Sequence, residues 1–158
     1  MKFRNQLIES DIQAVREILN STGFFYDFEV AIAVELAQEN YEKGEEKSGY
    51  IFTIVEIDEK PVAFSCYGKT PCTAASYDLY WIAVHQNQKG NGIGKILLNR
   101  LEEHVEQLGG KNIWIETSGR PLYEPTRQFY LKYGCTLIAE LPEFYGENDP
   151  KLIFLLKV

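Results

Sequence analysis

Apolar residues recur along this chain with two periods, and the switches between them outline its elements. Residues 3–7 form a short first strand. Ile12, Val15, Ile18 and Leu19 then share one helical face, for which Ser10 or Asp11 supplies a cap. Gly23 interrupts that pattern, and a second helical pattern covers residues 28–41 through Ile32, Leu36 and Ala37. The polar stretch 42–49 is expected to be a loop. Residues 50–57 and 62–67 are strands joined by Asp58-Glu59-Lys60-Pro61, a hairpin signal. After a loop at 69–76, residues 77–84 form a fourth strand.

The stretch beyond that strand is the most informative part of the chain. Lys89-Gly90-Asn91-Gly92-Ile93-Gly94-Lys95 leads into a helical pattern through Ile96, Leu97, Leu98, Leu101 and Val105, which runs to about Leu108 and ends at Gly109-Gly110. A strand thus feeds a glycine-rich turn that opens a helix. Glycines admit a ligand close to the backbone, and the first-turn N–H groups of the helix lack helical partners, so the turn suits a phosphate. Beyond it come a strand at 112–117, a helix with Pro125 in its first turn, and closing strands at 136–141 and 152–158 around an irregular loop at 142–150.

Two phosphate loops fail on spacing. A P-loop needs Ser or Thr after Gly-Lys, and Ile96 follows Gly94-Lys95. The dinucleotide fingerprint needs a third glycine where Ile93 or Leu97 stands, and no acidic residue ends a second strand at the required distance. NAD and ATP are thereby disfavoured.

A third pattern fits: Arg or Gln, two residues, Gly, one residue, then Gly or Ala. In Lys89-Gly90-Asn91-Gly92-Ile93-Gly94 the chain resembles the GNAT family of N-acetyltransferases, with Lys89 in the Arg or Gln position. Lysine keeps the charge and loses the planar fork, while backbone contacts are unaffected. A second match lies downstream in Phe129-Tyr130-Leu131-Lys132-Tyr133-Gly134-Cys135, which resembles the family's Phe-Tyr helix with Cys135 where Phe is common. The resemblance covers nearly the whole chain. It implies an α/β (α+β) fold of order βααβββαβαββ, with a mixed, mostly antiparallel sheet of about seven strands and helices on both faces. It also implies transfer of an acetyl group from acetyl-CoA to a small-molecule amine by direct attack. A catalytically silent acyl-CoA sensor of the same fold is the alternative.

Size and composition narrow the setting. At 158 residues and 45 per cent apolar content, the chain is expected to form a single domain spanning 1–158. No apolar run is long enough to span a membrane and no signal peptide is apparent, so a cytoplasmic protein is expected. The three cysteines, Cys66, Cys72 and Cys135, lack metal spacing and read as reduced thiols; His85 and His104 are not paired at ligand spacing, and no metal is expected. A net charge of −7 argues against nucleic acid and suits a cationic acceptor, or serves solubility alone.

The resemblance assigns roles residue by residue. The turn from Lys89 to Lys95 would hold the coenzyme pyrophosphate. Backbone groups of Ile82, Ala83 and Val84 would pair with the pantetheine arm, and an N–H there, that of Val84, would stabilise the oxyanion. Tyr130 would donate to the coenzyme sulfur. Asp78, on a face shared with Tyr80 and Ile82 by strand alternation, is a candidate base, with Glu116 second and ordered water a third route. Many members carry Asn where this chain has Tyr123, so Tyr123 is a candidate coenzyme contact of altered character, packing on the coenzyme, or else faces the acceptor. The aromatic and acidic segments 24–28 and 143–147 would wall the acceptor site. Relatives often dimerise, which leaves a homodimer open.

Overall fold

A computed structural model describes residues 1–158. Its elements follow the expected order: β1 (Lys2–Arg4), α1 (Glu9–Thr22), α2 (Asp27–Ser48), β2 (Ile51–Ile57), β3 (Lys60–Lys69), β4 (Ser76–Val84), α3 (Ile93–Gln107), β5 (Asn112–Ser118), α4 (Glu124–Tyr133), β6 (Thr136–Gly146) and β7 (Asp149–Lys157). Two 3₁₀ turns are added, Gln86–Gln88 before α3 and Pro121–Tyr123 before α4. The strands form one seven-stranded sheet in the order β1-β2-β3-β4-β5-β7-β6. β4 and β5 pair in parallel, while β1–β2, β2–β3, β5–β7 and β6–β7 pair antiparallel. This is the GNAT fold. No helix is long and apolar enough to cross a membrane.

The chain divides into two compact units. The first comprises Met1–Gly68 and Trp81–Leu101. In it, α1 and α2 cover one face of the β2–β3 hairpin. Val15, Ile18, Leu19, Val30, Ala33 and Ala37 pack there against Phe52, Ile54, Phe64 and Cys66. Ile93 and Leu97 of α3 cover the other face against Val55 and Ala63. Strand alternation sorts these side chains, since neighbours along a strand point to opposite faces. The hairpin turns on Asp58 and Glu59, both at positive φ (50° and 62°), which matches the right-handed twist of the strands it joins.

The second unit comprises Lys69–Tyr80 and Glu102–Val158. Here β5 is central, pairing through Ile113 and Ile115 with Tyr77 and Leu79 of β4 and with Leu156 and Phe154 of β7. Gly110 is required by a close approach. A Cβ there would stand 2.3 Å from a Val105 methyl and 2.9 Å from the Tyr77 ring.

Three expectations need correction. The N-cap of the first helix is Ile8 rather than Ser10 or Asp11: the helix starts at Glu9, and Asp11 contributes to the cap from inside the first turn by reaching back to Ile8. The Asp11 carboxylate accepts the Ile8 N–H at 2.8 Å and both terminal nitrogens of Arg4 at 2.7 and 2.8 Å, which holds it fully buried. Residues 42–48 are helical rather than a loop. α2 runs on with a break at Gly44 (φ 77°, ψ 170°) before Gly49 ends it in the left-handed region. The stretch 142–150 is mostly strand. β6 continues to Gly146, with an irregular register between Leu141 and Gly146, and β7 begins at Asp149.

Candidate active site

The glycine turn belongs to the first unit, and local chemistry fixes each step of it. The His85 N–H donates to the Val62 carbonyl at 2.7 Å, which holds the end of β4 to β3. The His85 ring nitrogen accepts the Asn87 N–H at 3.2 Å, so the chain coils into the 3₁₀ turn. The Gln86 N–H donates to the Ser21 hydroxyl at 3.0 Å, tying that turn to the end of α1. Lys89 is extended (φ −62°, ψ 140°), and Gly90 and Gly92 then take φ of 86° and 76°, a region that residues with a Cβ enter only under strain. Helical bonding begins with Ile96 N–H to the Gly92 carbonyl at 3.1 Å.

The N–H groups of Ile93, Gly94 and Lys95 therefore lead α3 without helical acceptors, at the positive end of its dipole. Ile93 is buried on Val55 and Ala63 and anchors this end, while Lys89, Gly90, Asn91, Gly92 and Lys95 are exposed. Apart from each glycine and its chain neighbours, no protein atom lies within 4 Å of where a Cβ on Gly90 or Gly92 would stand. A bare, cationic helix start of this kind fits a pyrophosphate. Ile82, Ala83 and Val84 end β4 just before it, Ala83 packed with the α1–α2 cluster and Ile82 and Val84 against the Ile93–Leu97 cluster.

The segment 24–28 lies in the same unit. Phe25 meets Trp81 edge-on with centroids 5.3 Å apart, and Tyr26 stacks on Phe28 at 5.4 Å. The Lys89 ammonium sits 5.3 Å above the centre of the Phe24 ring.

The candidate side chains of the second unit differ in their suitability. Asp78 is half-buried in β4, in register with Trp114, and accepts the Thr70 hydroxyl at 2.7 Å. Burial along the strand alternates, with Tyr77, Leu79 and Ala83 buried and Asp78, Tyr80 and Ile82 more open. Glu116 is exposed and already paired, with Lys151 Nζ at 2.8 Å. That ammonium also lies 3.8 Å from the centre of the Phe144 ring and 5.9 Å from that of Tyr145, drawing the segment 143–147 over the pair.

Tyr130 is buried in α4, its ring against Phe129 and Phe154 at 5.4 and 5.8 Å. Burial raises its pKa well above the ordinary 10.0, with the nearby Cys135 thiol adding to the rise. The phenol is thus held in its protonated, hydrogen-donating form. Cys135 is itself buried and pushed up to about 11, first by burial and then by Glu102, so this thiol is inert at neutral pH. Tyr133 donates to Glu102 at 2.5 Å instead of facing a ligand.

Tyr123 is buried in the second 3₁₀ turn, with the Arg120 guanidinium 5.4 Å from its ring centre. The loop that carries it is held by residues that the sequence motifs do not single out. Arg127 donates to the Ser118 and Arg120 carbonyls at 3.0 and 2.8 Å. Asp149 accepts the Ser118 hydroxyl and pairs with Arg120 at 3.3 Å. No local pattern announces these residues, because their partners are set by the β5–β7 pairing and by the first turn of α4.

Comparison with known proteins places the chain in a family. Residues 12–135 match the acetyltransferase (GNAT) family. A solved GNAT-family protein from Desulfovibrio desulfuricans is 39% identical, with a TM-score of 0.95 over 99% of this chain and 98% of its own. The chain therefore belongs to the GNAT acetyltransferase family. Two further solved structures share the fold at low identity. An aminoglycoside 6'-N-acetyltransferase complexed with coenzyme A is 19% identical, with a TM-score of 0.77 over 99% of this chain and 97% of its own. A ribosomal-protein-alanine N-acetyltransferase from Brucella melitensis is 17% identical, with a TM-score of 0.76 over the full length of both chains. No curated protein matches by sequence.

Proposed function

We propose that residues 1–158 act as one domain that transfers the acetyl group of acetyl-CoA to the amine of a small molecule, by direct attack and in the cytoplasm. The observation that carries this reading is the turn at Gly90 and Gly92, which opens α3 with bare N–H groups beside Lys89. The coenzyme complex of the aminoglycoside-acetylating structure supports a CoA-type ligand. The three free cysteines accord with a reducing compartment.

In this reading Ile93, Gly94 and Lys95 donate backbone hydrogen bonds to the pyrophosphate and Lys89 adds its charge. Ile82, Ala83 and Val84 hold the pantetheine arm through their backbone, and Tyr123 packs beside it. The Val84 N–H donates to the thioester carbonyl oxygen as it gains charge. The new bond joins the amine nitrogen to the acetyl carbon, the carbon–sulfur bond breaks, and sulfur leaves with the bonding pair.

Two proton movements complete the transfer. Capturing the neutral form of an alkylamine of pKa ~10 at pH 7 costs about 4 kcal/mol, so a proton acceptor close to the nitrogen matters. Asp78 takes this role ahead of Glu116, because the Glu116 carboxylate is already engaged by Lys151. Tyr130 donates to the departing sulfur. Its raised pKa makes it a hydrogen-bond donor to the departing thiolate, which then takes its proton from water.

The test is release of free coenzyme A thiol from acetyl-CoA across a panel of primary amines. Release that depends on a particular amine supports the acetyltransferase reading. Tight coenzyme binding with no release across the panel would contradict it in favour of a silent sensor.

A further inference from the structure

The contact between Lys89 and Phe24 is not explained by either residue's position alone. Lys89 is exposed and long, so its ammonium is free to sample solvent, yet it rests 5.3 Å above the Phe24 ring. That ring stands between Gly23, which ends α1 at φ 68°, and Phe25, which packs on Trp81. Two fixed ties bracket the contact. The Gln86 N–H is bound by Ser21, and Phe25 meets Trp81 one residue before Ile82. Between these ties, the flexible lysine is the partner able to change position.

We infer that Lys89 is shared between Phe24 and the coenzyme, and that Phe24 is a positioning residue which sets coenzyme affinity by competing for the ammonium. The inference rests on the proposed acetyl-CoA reading. A ring face offers a cation only its quadrupole, whereas a phosphate offers full opposite charge and strong acceptors. When a pyrophosphate occupies the start of α3, Lys89 leaves the ring for it. Coenzyme binding must then break the ring contact, which weakens the observed affinity. Linkage works in both directions: a ligand that displaces Phe24 strengthens coenzyme binding by the same factor.

The experiment is calorimetric titration of coenzyme A into the wild-type chain, Phe24→Leu, Phe24→Tyr, Lys89→Met and the Phe24→Leu/Lys89→Met double variant. Removing the ring should tighten binding about two- to five-fold, the equivalent of an exposed cation–π contact. Phe24→Tyr restores the ring and should match the wild type. Lys89→Met should weaken binding, and in that background Phe24→Leu should add nothing. Phe24→Met is a second ring-free variant with the same expected gain should Phe24→Leu fail to fold. Folded ring-free variants that bind no tighter, or a gain that persists without Lys89, would overturn the inference. A wild-type chain that binds no coenzyme A removes the acetyl-CoA reading itself, an outcome distinct from unchanged binding across folded variants.

Discussion

The glycine turn and the surroundings of Tyr130 use different materials. In the proposed reaction the turn works through backbone N–H donors, and its side chains matter mainly by being absent, as at Gly90 and Gly92 with their positive φ. Around Tyr130 the proposed working group is one side chain, and its properties come from what surrounds it, namely Phe129, Phe154 and the Cys135 thiol. A backbone site tolerates exchange of its exposed residues, so the Lys89 side chain should matter less than the conformation of Gly90 and Gly92. A side-chain site has no such tolerance. Damage to the turn should therefore appear in binding, and damage near Tyr130 in turnover.

The largest effect should follow from Tyr130→Phe. Loss of the hydroxyl is expected to lower kcat about a hundredfold, within the range of a lost hydrogen-bond donor to developing charge, with coenzyme affinity nearly unchanged. Steady-state kinetics beside a binding titration checks this, and a variant with wild-type kcat would remove Tyr130 from the mechanism. Gly92→Val is the opposite case. A β-branched residue at φ 76° costs about 1–2 kcal/mol of backbone strain and places a side chain where the phosphate would approach. Coenzyme affinity should fall about tenfold or more, with kcat at saturation largely kept. A fall in kcat alone would contradict the division of labour.

Asp78→Asn should lower kcat/KM well below the wild-type value, whereas Glu116→Gln should leave it nearly unchanged. If Glu116→Gln causes the loss instead, the base is misassigned. The smallest effect concerns alkaline stability. Tyr130 is raised above its ordinary 10.0 by burial, so the unfolded chain releases this proton at lower pH than the folded one. Its contribution to stability is fully present below about pH 10 and is lost as pH climbs further through the folded value. Tyr130→Phe should therefore lose less stability than the wild type between about pH 10 and 11, as followed by denaturant midpoints. Equal losses would mean that Tyr130 is not held protonated by burial.

Much of the fold is legible in the sequence because apolar spacing marks the buried faces, as in Val15, Ile18 and Leu19 of α1. Where no apolar residue recurs, the signal vanishes. Residues 42–48 are nearly all polar and exposed, and nothing in their pattern distinguishes an exposed helical extension from a loop. Pro142, and Glu143 at φ 53°, look like loop residues because they sit in the irregular part of β6, yet the strand resumes beyond them. The candidate site divides in the same way. Gly90 and Gly92 are visible because positive φ selects glycine. The Thr70–Asp78, Lys151–Glu116 and Asp149–Arg120 pairs are not visible, since each depends on side chains that folding brings together. Asp11 shows the same limit: its position suggests a cap, and its partner Arg4 makes it half of a buried ion pair.

The central claim, that the turn at Gly90 and Gly92 holds an acyl-coenzyme A, is most directly tested by thermal stability with acetyl-CoA, with NAD and ATP as controls. A ligand at about 100 times its dissociation constant adds roughly 2.7 kcal/mol, a shift of several degrees for a domain of this size. The account predicts stabilisation by acetyl-CoA and none by NAD or ATP. An unchanged melting temperature at high acetyl-CoA, or an equal shift with NAD or ATP, would contradict it.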